Sequence, residues 1–368
     1  MNPVVIRGGG PAGLAAAIAL AREGRRVKLC DRPGYPQKTR HTGFQTLENF
    51  TAPEDAAGLL DDLGIRGGLF IKPLTDAVLF NHRRLPFVVS SAAPFVYLIR
   101  RGSEPGALDH ALYERARALG VEFSDEEAAP PDMVATGPAQ ADGVALERHF
   151  RTDGAFRIWV YFDTAHAPGA YAYLFTHGGS GTFGTAVTRD FGRLKEHAAF
   201  CWNVFQGLET FPFEGMEERG SWMNFYIPDR YAENGVRYIG EAAGLQDFLF
   251  GLGMRMAMES GLLAARSILR GEDYSALVQA RFGKSLRRGL VHRWLYERMG
   301  NASLTRALGS FARGDYREKL RGASIGNGAD SLLLPLVKVL CKNRGACRHP
   351  LQPHFCRKTS GTTGTAGR

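Results

Sequence analysis

Near the start of the chain, Gly8-Gly9-Gly10-Pro11-Ala12-Gly13 carries the spacing GxGxxG, and Asp31-Arg32 follows about twenty residues later. Glycine at the first position permits a tight turn, at the second lets backbone approach a pyrophosphate, and at the third lets a helix pack closely on its strand. The N-terminus of that helix directs N–H groups at phosphate oxygens, and a carboxylate placed like Asp31 meets ribose hydroxyls. This is the chemistry of holding a dinucleotide. The context agrees: Val4-Val5-Ile6 is a short apolar run, Leu14 to Glu23 is a small-residue helix that Gly24 ends, and Val27-Lys28-Leu29-Cys30 is the next strand. The motif alone does not separate a nicotinamide from a flavin.

Two later stretches do. Asp132-Met133-Val134-Ala135-Thr136-Gly137-Pro138 is a short strand ending in Ala-Thr-Gly. Tyr238-Ile239-Gly240-Glu241-Ala242-Ala243-Gly244 leads through Gly251-Leu252-Gly253 into a helix from about Met254 to Leu269. With these three elements in order, the chain resembles the FAD-dependent oxidoreductases of the glutathione-reductase and hydroxybenzoate-hydroxylase type, and within them most closely the geranylgeranyl reductase family. The resemblance covers residues 1 to about 275, strongly in the three flavin segments and weakly elsewhere.

The resemblance implies FAD as cofactor. Carried over residue by residue, it assigns FAD contacts to Gly8, Gly10, Pro11, Ala12, Gly13, Asp31, Arg32, Gly43, Arg101, Thr136, Gly137, Gly240, Glu241, Gly251, Gly253 and Met254. Glu241 stands where most relatives have Asp, one methylene longer with the carboxylate kept. Arg101-Gly102 precedes a Leu108-Asp109 helix as in relatives, where that arginine contacts FAD. The late helix is expected to point its positive end at the flavin pyrimidine and stabilise the reduced ring.

The implied reaction is hydride transfer from reduced FAD to a carbon–carbon double bond of a prenyl chain. Tyr171-Ala172-Tyr173-Leu174-Phe175-Thr176 resembles the Tyr-x-Trp-x-Phe-Pro signature that lines a prenyl cavity, with Tyr173 for Trp and Thr176 for Pro. Strand alternation puts Tyr171, Tyr173 and Phe175 on one face. Where relatives carry Cys-Gly-Gly, this chain has His41-Thr42-Gly43, which keeps the glycine and lacks the thiol. His41 is the candidate proton donor, because an imidazole titrates near neutrality.

Two other readings stay open: an NAD(P)H-dependent flavin monooxygenase and a non-catalytic prenyl-binding escort. Against hydroxylation, Ala135-Thr136-Gly137 stands where aromatic hydroxylases have Asp-Gly-x-x-Ser, and against the escort the dinucleotide residues are intact. A Trp-x-Trp-x-Ile-Pro halogenase pattern fails on spacing, since the two tryptophan positions fall on Met223 and Phe225. With one dinucleotide fingerprint present, the electron donor is open among NAD(P)H, ferredoxin and quinol.

The elements that must position these residues read as an α/β chain: a discontinuous Rossmann-type FAD-binding domain, an inserted α+β substrate domain and a C-terminal helical extension. The first is assigned to residues 1–60, 95–148 and 234–275, and the second to 61–94 and 149–233. Residues 276–335 form the helical region and 336–368 a Cys/His-containing, partly disordered tail. At 368 residues and 44% hydrophobic side chains the chain can bury a full core. No apolar run approaches the roughly 18 residues of a membrane span, and five cysteines make no disulfide framework, so a cytoplasmic setting is expected. The net charge of +9 is uneven: residues 281–368 hold 18 Lys and Arg against 4 Asp and Glu. That excess suits peripheral contact with a phospholipid surface, with no nucleic acid expected. Cys341, Cys347, Cys356, His349 and His354 lack any CxxC pair, so no metal is expected.

Overall fold

The computed structural model describes residues 2–32, 34, 42–126, 129–326, 332–341 and 347–356. His41 and the Ser/Thr/Gly-rich stretch 358–368 lie outside the described residues.

Val4–Arg7, the apolar run ahead of the glycine turn, sits inside a six-stranded sheet. Val27–Cys30 and Met133–Val134 flank it in parallel, and Glu122–Ser124 and Val236–Tyr238 extend the parallel set. Ala232–Glu233 adds an antiparallel edge. Parallel strands must be covered on their faces, which is why the central strand Val4–Arg7 opens on the apolar run Val4-Val5-Ile6 and Met133–Val134 beside it is apolar. The helix Pro11–Arg22 does part of that covering, with Leu14, Ala17 and Ile18 fully buried. Each buried Leu or Ile contributes about 1.5–3 kcal/mol relative to exposure. Proline at the first helical position fixes its start, and Gly24, at φ +71°, ends it.

The late helix, Met254–Arg270, crosses Pro11–Arg22 at very short range. A Cβ on Gly261 would lie 2.2 Å from the Ala12 carbonyl oxygen, so only glycine fits. Gly13 has the same constraint toward the strand side, where its Cβ would meet the Gly8 carbonyl oxygen at 2.0 Å.

A second, seven-stranded sheet has the order Phe213–Met223, Gly143–Thr152, Ser180–Val187, Ala172–His177, Arg157–Tyr161, Asp76–Phe80, Pro86–Ser90. All pairs are antiparallel except Arg157–Tyr161 with Asp76–Phe80. His177-Gly178-Gly179-Ser180 makes a hairpin turn, with both glycines at positive φ. The helix Leu194–Leu208 covers one face, burying Cys201, Trp202 and Phe205 against Leu146, Leu174 and Phe183. The other face meets the C-terminal helices: Leu304, Leu308, Tyr316 and Leu320 pack with Leu79, Val89 and Phe95. Those helices are Tyr274–Tyr296, Asn301–Phe311 and Tyr316–Ile325, as the helical reading of 276–335 expects.

Three local expectations are corrected. Residues 143–148, assigned to the first domain, begin the Gly143–Thr152 strand of the second sheet. Residues 43–48, read as part of a loop, form a strand that pairs with Val96–Arg101, which in turn pairs with Ile71–Leu74. In the tail, His354–Cys356 is a strand paired with Tyr226–Pro228. In the first and third cases a partner distant in sequence supplies the pairing that local composition does not announce.

Gly261 and Gly58 offer a matched test. Gly261→Val is expected to cost about 1–3 kcal/mol through overpacking. Gly58→Ala, in the exposed part of helix Ala56–Leu63 with no heavy atom within 4 Å of the new Cβ, is expected to stabilise by about 0.4–1 kcal/mol. Urea unfolding midpoints of the two variants against the parent check both signs.

Candidate functional site

A cavity of about 660 Å³ opens between the two sheets, within the span of about 300–1,000 Å³ usual for small-molecule sites. Gly8, Gly10, Pro11, Ala12, Asp31, Arg32, Thr136 and Gly137 line it together with Arg101, Gly240, Glu241, Gly251, Gly253 and Met254. Tyr171, Tyr173 and Phe175 line it from the second sheet. The fold therefore gathers most of the sequence-assigned residues into one space.

At the glycine turn, Gly8 holds φ +106° and its absent Cβ would meet the Ala135 carbonyl oxygen at 2.4 Å. Gly10 has no heavy atom within 4 Å of a built Cβ, which leaves a cradle beside the start of Pro11–Arg22. Asp31 Oδ2 accepts the Gly9 amide at 2.7 Å, and its Oδ1 accepts the Arg32 amide at 2.6 Å. The carboxylate is thereby anchored at the turn and faces the cavity. Gly13 lies behind the turn and does not line the space; its task is close packing. Gly43 is corrected: at φ +71° it abuts the second sheet, where a Cβ would meet His149 Nδ1 at 2.1 Å, and it is not in the lining.

Arg101 is held by Asp109 in a bidentate pair, Nε to Oδ2 2.7 Å and the second nitrogen to Oδ1 2.8 Å, and the Gly102 amide also donates to Asp109. Both side chains are buried, so the pair fixes a guanidinium at the cavity wall in one orientation. Glu241 faces the same space, and burial lifts its carboxyl to about 7 while the Arg101 charge opposes the rise.

The wall has the expected alternation. Tyr171, Tyr173 and Phe175 share a face, with ring centroids 6.1 Å and 4.9 Å apart, whereas Leu174 turns to the opposite helix. Tyr171 donates to the Phe250 carbonyl at 2.6 Å. Tyr173 donates to the buried Glu147 Oε1, which also accepts from Gln45 Nε2 at 2.5 Å. Burial raises the Glu147 carboxyl above the usual carboxylate range, and burial with that neighbour raises the Tyr173 phenol.

Glu147, Gln45 and Asp109 are absent from the sequence assignment. A signal for Glu147 exists in the run Val144-Ala145-Leu146-Glu147: period two puts Glu147 with Ala145 on the cavity face and Leu146 on the helix face. Treating 143–148 as domain edge hid it. The tail also differs from expectation. Without a CxxC pair, the fold still brings one ligand atom each of Cys347, His349, His354 and Cys356 within 4.8 Å of one another, which corrects the inference of no metal-ligand set.

The late helix is capped from within. The Arg255 and Met256 amides donate to Glu48 Oε1 at 3.1 Å and 3.4 Å, so part of its positive end is already engaged by the strand Gly43–Glu48. The Gly251–Met254 segment lines the cavity just before those amides.

No family model matches the chain, and no curated protein matches it. Solved structures do. A geranylgeranyl bacteriochlorophyll reductase-like protein from Thermoplasma acidophilum superposes with a TM-score of 0.68 at 16% identity, covering 91% of this chain and 98% of that one. A flavin-dependent brominase gives 0.66 at 16% identity, covering 92% and 98%. The chain shares the fold of these two proteins. The p-nitrophenol 4-monooxygenase from Pseudomonas putida shares it too, at a TM-score of 0.61 and 14% identity over 89% and 99% of the chains. A reductase-like protein, a brominase and a monooxygenase thus share one scaffold, and a scaffold does not specify its chemistry.

Glu48 sets a pH dependence. Fully buried, its carboxyl rises from 4.5 to about 8, and Oε2 has no hydrogen-bond partner among the described residues. The folded value exceeds the unfolded one, so the stability it confers is complete below pH 4.5 and is lost as pH rises through about 8. Glu48→Gln keeps the capping oxygen and removes the ionisation. Its stability relative to the parent is expected to increase from pH 5 to pH 9, which urea midpoints across that range would measure.

Proposed function

We propose that the protein is an FAD-dependent oxidoreductase that reduces carbon–carbon double bonds of a prenyl lipid. The observation that carries the reading is Tyr173: it belongs to an apolar aromatic wall, faces the same cavity as the glycine turn, and is hydrogen-bonded to a buried carboxyl.

The residues present fit FAD. Gly10 leaves the cradle a pyrophosphate needs, Asp31 lies at ribose distance along the motif, and Arg101 and Glu241 provide polar groups further in. When bound, the flavin supplies the hydride. The chain's own residues do the rest. Tyr171, Tyr173 and Phe175 exclude water and lay an extended hydrocarbon along the wall. Hydride addition at one alkene carbon requires a proton at the other. We assign its delivery to the Tyr173 phenol, which lines the cavity and is hydrogen-bonded to Glu147. Because burial favours the protonated form of Glu147, that carboxyl can hold a proton and donate it to the phenolate left behind, so that the pair ends with one negative charge, on Glu147, until solvent returns a proton. This relay replaces the role the sequence offers to His41. NAD(P)H, ferredoxin or quinol remains the electron donor in this reading. Lipid access from a surface is favoured by the basic C-terminal quarter and by Leu332, Leu336 and Val339, exposed by 80%, 51% and 65%.

The decisive experiment follows reoxidation of the anaerobically reduced protein on adding a geranylgeranylated lipid. Fast reoxidation with a saturated product is expected. Tyr173→Phe is expected to slow that step by about 10²–10⁴-fold with flavin content unchanged, and Gly10→Asp to remove the flavin. Inertness to the lipid with oxygen-dependent oxidation of an aromatic probe would instead make the protein a monooxygenase. A colourless chain that FAD cannot reconstitute would make it a prenyl-binding escort.

A further inference from the structure

The tail holds a cluster that neither the cavity nor the relay uses. Cys347 Sγ and Cys356 Sγ lie 3.8 Å apart, and His354 Nε2 lies 2.8 Å from Cys347 Sγ. His349 completes the set, with one ligand atom from each of the four residues within 4.8 Å of the others. His349, His354 and Cys356 are buried and Cys347 half-buried. A tetrahedral zinc with Zn–S bonds of about 2.3 Å has an S···S edge of about 3.8 Å, which is the separation found.

The imidazoles supply an independent sign. His354 Nδ1 lies 2.8 Å from the Leu351 carbonyl oxygen, which leaves Nε2 turned to the sulfur. His349 Nε2 lies 3.1 Å from the buried Asp142 Oδ2, while its buried Nδ1 has no hydrogen-bond partner among the described residues. A ring with one nitrogen against a carboxylate or carbonyl and the other turned to a thiol, as in His354, or left without a hydrogen bond in a buried site, as in His349, is the outer-shell pattern of a metal-bound histidine.

We infer that Cys347, His349, His354 and Cys356 form a structural zinc site. Two sulfur and two nitrogen ligands select zinc, and four protein ligands leave no open position for substrate. The two thiols release their protons to solvent on binding, and the thiolates then balance the Zn²⁺ charge with no change of oxidation state. The site braces the cavity from behind. It closes on the strand His354–Cys356, which pairs with Tyr226–Pro228; His349 stacks on Tyr226 with centroids 4.2 Å apart, and Tyr226 donates to the Ala242 carbonyl next to Glu241.

The test is metal analysis of the full chain, purified without a histidine tag. One zinc per chain is expected. After chelation, cobalt(II) is expected to restore binding with a thiolate charge-transfer band and the visible bands of a tetrahedral ion. Cys356→Ser is expected to lose metal and charge-transfer band, and Cys201→Ser, buried under the Leu194–Leu208 helix, to keep both. Should Cys356→Ser fail to fold, the cobalt titration of the stripped parent decides alone. A chain without zinc that gives no charge-transfer band, or one in which Cys347 and Cys356 are joined as a disulfide, overturns the assignment.

Discussion

Close approach of backbone to backbone is the constraint on which the molecule depends. Gly8 against Ala135, Gly13 against Gly8, and Gly261 against Ala12 bring a strand, the glycine-turn helix and the late helix nearer than any side chain allows. Three stretches far apart in sequence, near residues 10, 135 and 255, are thereby drawn to one edge of the parallel sheet, and the cavity is the space they leave. Small residues here bury little area of their own. Their contribution is proximity, and the buried Leu and Ile of the same helices provide the free energy that holds it.

Buried charge is the second theme. Arg101 with Asp109, Glu147 under Tyr173 and Glu48 under the late helix are taken out of water, and Glu241 at the lining is partly so. Only the first is a fully compensated ion pair. Burial pushes the others toward their neutral forms.

Much of this was legible in the sequence because the signals are local. The glycine spacing, Asp31 and the alternation of Tyr171, Tyr173 and Phe175 each need only neighbouring residues to be read, and all but the packing glycine Gly13 reach the cavity. Gly43 misled because a glycine kept by resemblance was assigned to the cofactor, whereas its φ and the nearness of His149 tie it to the second sheet. Glu147 and the Cys/His cluster were hidden for another reason. Each becomes meaningful only through a partner distant in the chain: Tyr173 and Gln45 for Glu147, Tyr226 and Asp142 for the tail. Pairing of strands across such distances is decided by tertiary packing, which local composition does not encode.

The order of strands in the parallel sheet also bears on how the chain reaches its native state. Met133–Val134 is flanked by Val4–Arg7 on one side and by Val236–Tyr238 on the other. At a synthesis rate of about 5–20 residues per second, the second neighbour leaves the ribosome about 5–20 s after the first pairing becomes possible. During that interval Met133–Val134 is an unprotected apolar edge, open to association with other chains. Nascent protein of this architecture is expected to be a client of chaperones until the late helix arrives.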